Sequence, residues 1–226
     1  EEQRLADVRQ RHASLLLRLK ETEKVDAPKH AAGEYNRAKN LLNKAGYEIQ
    51  DGDDRKALQT LEEAATAIAT AMDTARPLHT AASAKEAREE KNQALVSEAH
   101  ALGVDDVRVE PRGAVLVVGS VFKGKRTSIQ PSRRLVLDKI GALILQYSDY
   151  KVLIEGHTSD RGKDEANLTL SQAWANAVAG HLVSKGIPME RVQAVGLGES
   201  QPLEDNRSKA GRKKNRRIEV VFLFSR

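Results

Sequence analysis

Apolar residues recur at three- and four-residue steps through the first half of the chain, then give way after Gly103 to short alternating or continuous runs. The early spacing is that of helices with one buried face. Leu5, Val8, His12, Leu15, Leu16 and Leu19 mark a first helix, from residue 1 to about residue 24. Asp26 is placed to cap a second, Pro28 falls early where its missing donor costs nothing, and Tyr35, Ala38, Leu41, Leu42, Ala45 and Ile49 continue the stripe. The tract Asp51-Gly52-Asp53-Asp54 ends that helix as a tight turn. Ala57, Leu58, Leu61, Ala64, Ala65, Ile68 and Met72 predict a third helix stopping before Pro77, and a weaker, alanine-rich fourth runs from about Leu78 to Leu102. Small residues at the contact positions suit close antiparallel approach, so residues 1–102 are expected to form a helical bundle or stalk.

Beyond Gly103 the grammar is different. Val104, Val107 and Val109 alternate with polar residues, and Ala114-Val115-Leu116-Val117-Val118 is an apolar run between glycines, together read as a strand. Pro131 to Tyr147 returns to helical spacing, Val152-Leu153-Ile154 reads as a buried strand, and Asn167 to Lys185 reads as a helix. Val192 to Val195 and Ile218 to Phe224 are the last strands. The order β-α-β-α-β-β predicts crossover units on one mixed sheet, and an α+β chain with domains at 1–102 and 103–226.

Charge separates the same halves. Residues 1–103 carry 16 basic and 18 acidic side chains, the remainder 21 and 14, so the basic excess lies wholly in the C-terminal part. That balance suits a polyanionic partner: nucleic acid, an anionic membrane surface or an acidic glycan peptide. Without cysteine there is no disulfide, thiolate metal site or thiol nucleophile. No run approaches the roughly 18 apolar residues of a membrane span. The start at Glu1-Glu2-Gln3 lacks the layout of a signal peptide. Either the protein is cytoplasmic or an export segment, with any lipid-bearing cysteine, has been removed; the second is the expectation.

The chemistry is concentrated in an ordered motif series. Ile154-Glu155-Gly156-His157-Thr158-Ser159-Asp160-Arg161-Gly162 is followed by Asn167, Leu170-Ser171, Gly186-Ile187-Pro188, Arg191 and Gly196-Leu197-Gly198-Glu199. Pro202, Asn206, Gly211-Arg212 and Asn215-Arg216-Arg217-Ile218-Glu219 complete it. Over roughly residues 107–224 this series resembles the OmpA-like peptidoglycan-binding domain. The resemblance implies a non-catalytic protein of the periplasm, associated with the outer membrane, whose ligand is the diaminopimelate side chain of the peptidoglycan stem peptide. It implies no cofactor, no metal and no nucleic acid, and a membrane link only through an anchor outside this chain. The stretch from Ala27-Pro28 through Ala75 is loosely similar to an alanine-rich helical module preceding such domains in some envelope lipoproteins, where it would offer a surface to envelope partners.

Two positions depart from the family pattern. In the family an aspartate follows the His-Thr pair and holds the ligand ammonium, and an arginine three residues after the Leu-Ser serine holds its carboxylate; here these are Ser159 and Trp174. Asp160 stands next to the first and is placed to take over with a local backbone shift. Nothing adjacent replaces the arginine. A charge-assisted hydrogen bond contributes about 1.5 to 3 kcal/mol, so an uncompensated loss weakens binding by roughly 10 to 100 fold. Trp174 either packs, extending the stripe of Leu170, Ala173, Ala177, Val178 and Leu182, or lines a remodelled groove. The resemblance thus assembles a candidate pocket from Thr158, Ser159, Asp160, Asn167, Leu170, Trp174, Arg212 and Arg216.

Other readings compete. His157 is read as structural rather than as a metal ligand or base. Ser171, His157 and Asp160 have the residue types of a hydrolase triad but no nucleophile-elbow sequence, and Ser171 is expected at a helix start as a cap. Gly196-Leu197-Gly198 lacks the third glycine of a phosphate loop and is a turn. Arg207 to Arg217 holds seven basic residues and no acid, and is read as a solvated loop with Arg216 and Arg217 toward the pocket rim. Asn167-Leu168-Thr169 matches a glycan acceptor only by accident in a bacterial envelope protein. Two functional rivals remain: a degenerate domain serving as a protein-interaction module, and a basic nucleic-acid module.

Overall fold

The computed structural model describes residues 2–224. Glu1, where the first helix was expected to begin, lies outside the described residues. The chain divides into two compact units at Glu89/Glu90.

In the first unit, α1 (Glu2–Glu23), α3 (Ala32–Gln50) and the beginning of α4 (Asp54–His100) share a core of Val8, Leu15, Leu42, Ala45, Leu61, Ala64 and Ile68. Alanines at Ala38, Ala45, Ala57 and Ala64, all fully buried, let the backbones approach closely. His12 belongs to the stripe because its Nε2 bonds the carbonyl oxygen of Leu42 at 2.9 Å. Three sequence expectations change here. Asp26 is not a side-chain cap; its backbone is left-handed (φ 51°) and its carboxylate makes no capping bond. The expected second helix is broken at Ala31, giving a four-residue α2 (Ala27–His30) ahead of α3. The break lets Ala27 and Ala31 meet Ala71 and Ala75 in a small alanine cluster, while Ala31 N still bonds Ala27 O at 2.8 Å, so tertiary contact is gained at little loss of hydrogen bonding. Pro77 does not end the third helix but lies inside α4. Pro77 and Asp73, whose carbonyl is deprived of its amide partner, are both exposed residues, where a lost bond is tolerated.

The second unit is built on five strands: β1 (Asp106–Glu110), β2 (Gly113–Gly119), β3 (Lys151–His157), β4 (Val192–Gly196) and β5 (Arg217–Leu223). Their order is β1-β2-β5-β3-β4, with β3 and β4 parallel and the other pairs antiparallel. The segment read as one N-terminal strand is thus a hairpin: the alternating stretch gives the edge strand β1, the apolar run the buried β2. Helices α5 (Pro131–Gln146) and α6 (Asp164–Ser184) pack on one face around Leu116, Ile140, Ile154, Val178, Leu182, Val220 and Phe222. By packing, the end of α4 belongs here, since Leu95 and Ala99 are buried in this core, Tyr147 donates to Glu98 at 2.8 Å, and Tyr150 donates to Asn92 at 2.7 Å.

The basic tract read as a loop folds in part as α7 (Lys209–Asn215). Ser208 caps it, accepting from Gly211 N at 2.8 Å. Few apolar residues mark this helix, so periodicity was silent there and only the cap signalled it. Among the described residues no helix is long and apolar enough to cross a membrane.

Candidate functional site

The ends of β3 and β4 receive the backbone of α6 at glycines. A Cβ on Gly156 would lie 2.2 Å from Ser171 O, and one on Gly196 would lie 2.2 Å from Gln172 N. No side chain fits there, which is why these motifs carry glycine. Ser171 fastens the contact: its hydroxyl accepts from Gly198 N at 2.9 Å and donates to Leu168 O at 2.9 Å. Gln172 adds two bonds, accepting from Gly196 N at 2.8 Å and donating to Ala194 O at 3.1 Å. Ser171 is therefore inside α6, which begins at Asp164, and not at a helix start; it satisfies a loop amide rather than a cap. The triad geometry is not assembled, because the Ser171 hydroxyl is taken up by backbone and both His157 ring nitrogens are buried without a partner.

Downstream of β3 the chain turns inward and then out. Thr158 N donates to Gly198 O at 2.8 Å, and the Thr158 and Ser159 side chains are buried. Asp160 is exposed and has no ion-pair partner among the described residues. Asn167, buried on α6, donates to Ser159 O at 3.2 Å and to the Glu199 carboxylate, tying the two loops to the helix. Its amide is thereby committed to positioning. Asn167 and half-buried Leu170 line an open groove with Gly162, Ala166 and Lys125.

Trp174 is 3% exposed and sits in the core, so it packs as the stripe predicted. Its indole stacks on Phe122 with centroids 5.4 Å apart and planes 9° from parallel, and its Nε1 donates to Arg126 O at 2.9 Å. This anchors the loop between β2 and α5, which is closed at its base by a bridge between Phe122 and Ile129. The loop carries Lys123, Gly124, Lys125 and Arg126. Trp174 and Phe122 also line a pocket of about 220 Å³ whose charged lining is Lys123, Lys213, Arg216 and Arg217, with no carboxylate. The side chains of Lys123, Lys213 and Arg216 have no hydrogen-bond or ion-pair partner among the described residues.

Arg217 differs. It is buried and held by Glu219 at 2.6 Å, Asn215 O at 3.2 Å and Gln201 O at 3.1 Å, so it lines the pocket as a fixed element. Arg212 donates to the Asn206 and Arg207 carbonyls and so braces the loop before α7. Asn215 does more of that work, accepting from Leu203 N and Glu204 N and donating to Glu204 O. The eight candidate residues are accordingly distributed: Trp174 and Arg216 share the cationic pocket, Asn167 and Leu170 the open groove, Thr158 and Ser159 are buried, Asp160 is solvent-facing, and Arg212 bonds carbonyls of the loop before α7. Sequence reasoning missed Phe122 and Lys123, whose signal was a Lys-Gly-Lys-Arg tract following an aromatic residue, and read Lys213 only as part of the solvated tract Arg207 to Arg217.

The sheet face away from α5 and α6 carries an ion network. Arg112 grips Glu155 through two bonds of 2.6 and 2.8 Å, and Arg108 and Arg217 both reach Glu219 Oε1 at 2.6 Å. His157 lies beside them, and burial, reinforced by Arg217, Arg112 and Arg108, pulls its ring down to about 3. Glu155, His157 and Glu219 lie close enough to share a cation, yet both carboxylates are committed to arginines and three guanidiniums oppose added positive charge. The histidine is a neutral structural residue.

Residues 121–216 match the OmpA family model, so the C-terminal half carries an OmpA family domain. The chain is 35% identical over 101 residues to the outer-membrane lipoprotein YfiB of Pseudomonas aeruginosa, covering 45% of this chain and 60% of that protein. It is 33% identical over 100 residues to the peptidoglycan-binding protein ArfA of Mycobacterium tuberculosis, covering 44% and 31%. Among solved structures, a MotB-like protein from Desulfovibrio vulgaris superposes with a TM-score of 0.53 at 25% identity, over 64% of this chain and 93% of that one. The chain thus spans less than two thirds of these curated relatives.

Proposed function

We propose that the C-terminal unit binds the diaminopimelate-containing stem peptide of peptidoglycan without catalysis, in the periplasm, where the protein is associated with the outer membrane and links it or its partners to the cell wall. The observation that carries this reading is the cationic pocket. Lys123, Lys213 and Arg216 line a space of about 220 Å³ with aromatic residues beside them and no acid, suited to a carboxylate on an amino-acid-sized group. The arginine expected on α6 is thereby replaced in charge by the loop and α7, and solvent-facing Asp160 supplies the acid for the ammonium. The OmpA family match and the relative named as peptidoglycan-binding support this assignment.

The test is co-sedimentation with purified peptidoglycan, followed by titration with a diaminopimelate-containing stem peptide. Binding should perturb amides at 123–126 and around Asp160. The absence of both sedimentation and perturbation refutes the proposal. A second reading, a domain that has given up the wall ligand and serves as a protein-interaction module, is favoured by the neutral, buried Ser159 and Trp174. In that case wild type does not sediment, and Ser159→Asp with Trp174→Arg creates binding.

A further inference from the structure

In the first unit, packing brings together three metal-ligating side chains that sequence order keeps apart. Ala27 on α2 and Ala75 on α4 are fully buried in one alanine cluster. His30 follows Ala27 by three residues and His79 follows Ala75 by four, so each lies one turn beyond that contact on its own helix. Asp26 immediately precedes α2. One ligand atom from each of Asp26, His30 and His79 lies within 4.8 Å of the others.

We propose that Asp26, His30 and His79 bind a zinc ion, with water completing the coordination. The Asp26 Oδ2 to His79 Nδ1 separation is 3.3 Å. That is about the edge of a tetrahedron whose metal–ligand bonds are about 2.0 to 2.1 Å, so the pair is already spaced for coordination and the third ligand needs to close by at most about 1.5 Å. Two imidazoles and one carboxylate suit a borderline first-row cation, and zinc takes such a set with water in the fourth position.

Two further observations favour a cation over a simple histidine–aspartate hydrogen bond. His30 Nε2 is buried and has no hydrogen-bond partner, an expense that hydrogen bonding between Asp26 and His79 leaves unrelieved. Asp26 also holds a left-handed backbone without using its carboxylate on the amides of α2, turning that carboxylate to His79 instead. Other histidines are engaged differently: His12 bonds Leu42 O, His181 bonds Asp138, whose same oxygen is held by Lys185, and His157 is ringed by arginines. A single zinc ion per chain is therefore expected, clamping the α1–α2 turn to α4.

Zinc titration of the full, untagged chain by calorimetry tests this, with cobalt as a spectroscopic probe. Expected are one ion per chain, cobalt absorption of the tetrahedral type, and nitrogen-15 shifts confined to the rings of His30 and His79. His79→Ala and His30→Ala should each weaken binding by about tenfold or more, and Asp26→Asn should also weaken it, with circular dichroism of the metal-free variants unchanged. No binding at about 1 mM zinc, or a stoichiometry and affinity unaltered by both histidine variants, overturns the proposal. Ring shifts at His12, His100 or His181 instead of His30 and His79 overturn it without any variant.

Discussion

Trp174 donates its indole N–H to the carbonyl of Arg126 at 2.9 Å, so one core side chain on α6 fixes the basic loop after β2. The ring that occupies a position where charge was expected therefore organises charge brought from elsewhere. Trp174→Phe keeps the stack on Phe122 and loses the bond, and should cost about 1 kcal/mol. Trp174→Ala opens a cavity and should cost about 3 to 5 kcal/mol. Urea denaturation compares them.

If the cationic pocket holds the ligand carboxylate, Lys123→Ala with Arg216→Ala should weaken stem-peptide binding by roughly 10 to 100 fold while leaving the fold intact, since neither side chain has a partner to lose. A ligand carrying an amide in place of that carboxylate should lose affinity on the wild-type protein and little on the double variant. Calorimetric titration reads both.

Gly156→Ala places a methyl group 2.2 Å from a backbone oxygen of α6, where no rotamer relieves it. Destabilisation by about 3 kcal/mol or more is expected. Gly180, on the exposed side of the same helix with nothing within 4 Å of its added Cβ, is the control: Gly180→Ala should stabilise by about 0.5 to 1 kcal/mol. Thermal melts of the two variants should move in opposite directions.

His157 titrates near 6.5 when unfolded and near 3 when folded. Between those values the unfolded chain takes up a proton that the folded chain refuses, so stability is full above the unfolded value and falls as pH drops toward 3, by up to about 1.4 kcal/mol per pH unit. His157→Asn should remove that increment of slope. Denaturant melts followed through the single tryptophan, Trp174, measure the difference.

The sequence by itself determined the helical first part, the α+β second part and the motif series, most of which lies within the OmpA family match at residues 121–216. These are properties of local periodicity and of residues spaced along one strand or helix, which the chain states directly. It was silent on α7, whose polar composition gives no period, and misleading at Pro77, where solvent exposure lets a helix tolerate a lost bond. Only the tertiary structure decided that Trp174 meets Phe122 and Arg126, that Lys123, Lys213 and Arg216 face one space, and that Asp26, His30 and His79 converge. Each of those groupings joins segments far apart in the chain, which meet only when the helices and strands that carry them pack together, and no local pattern encodes that meeting.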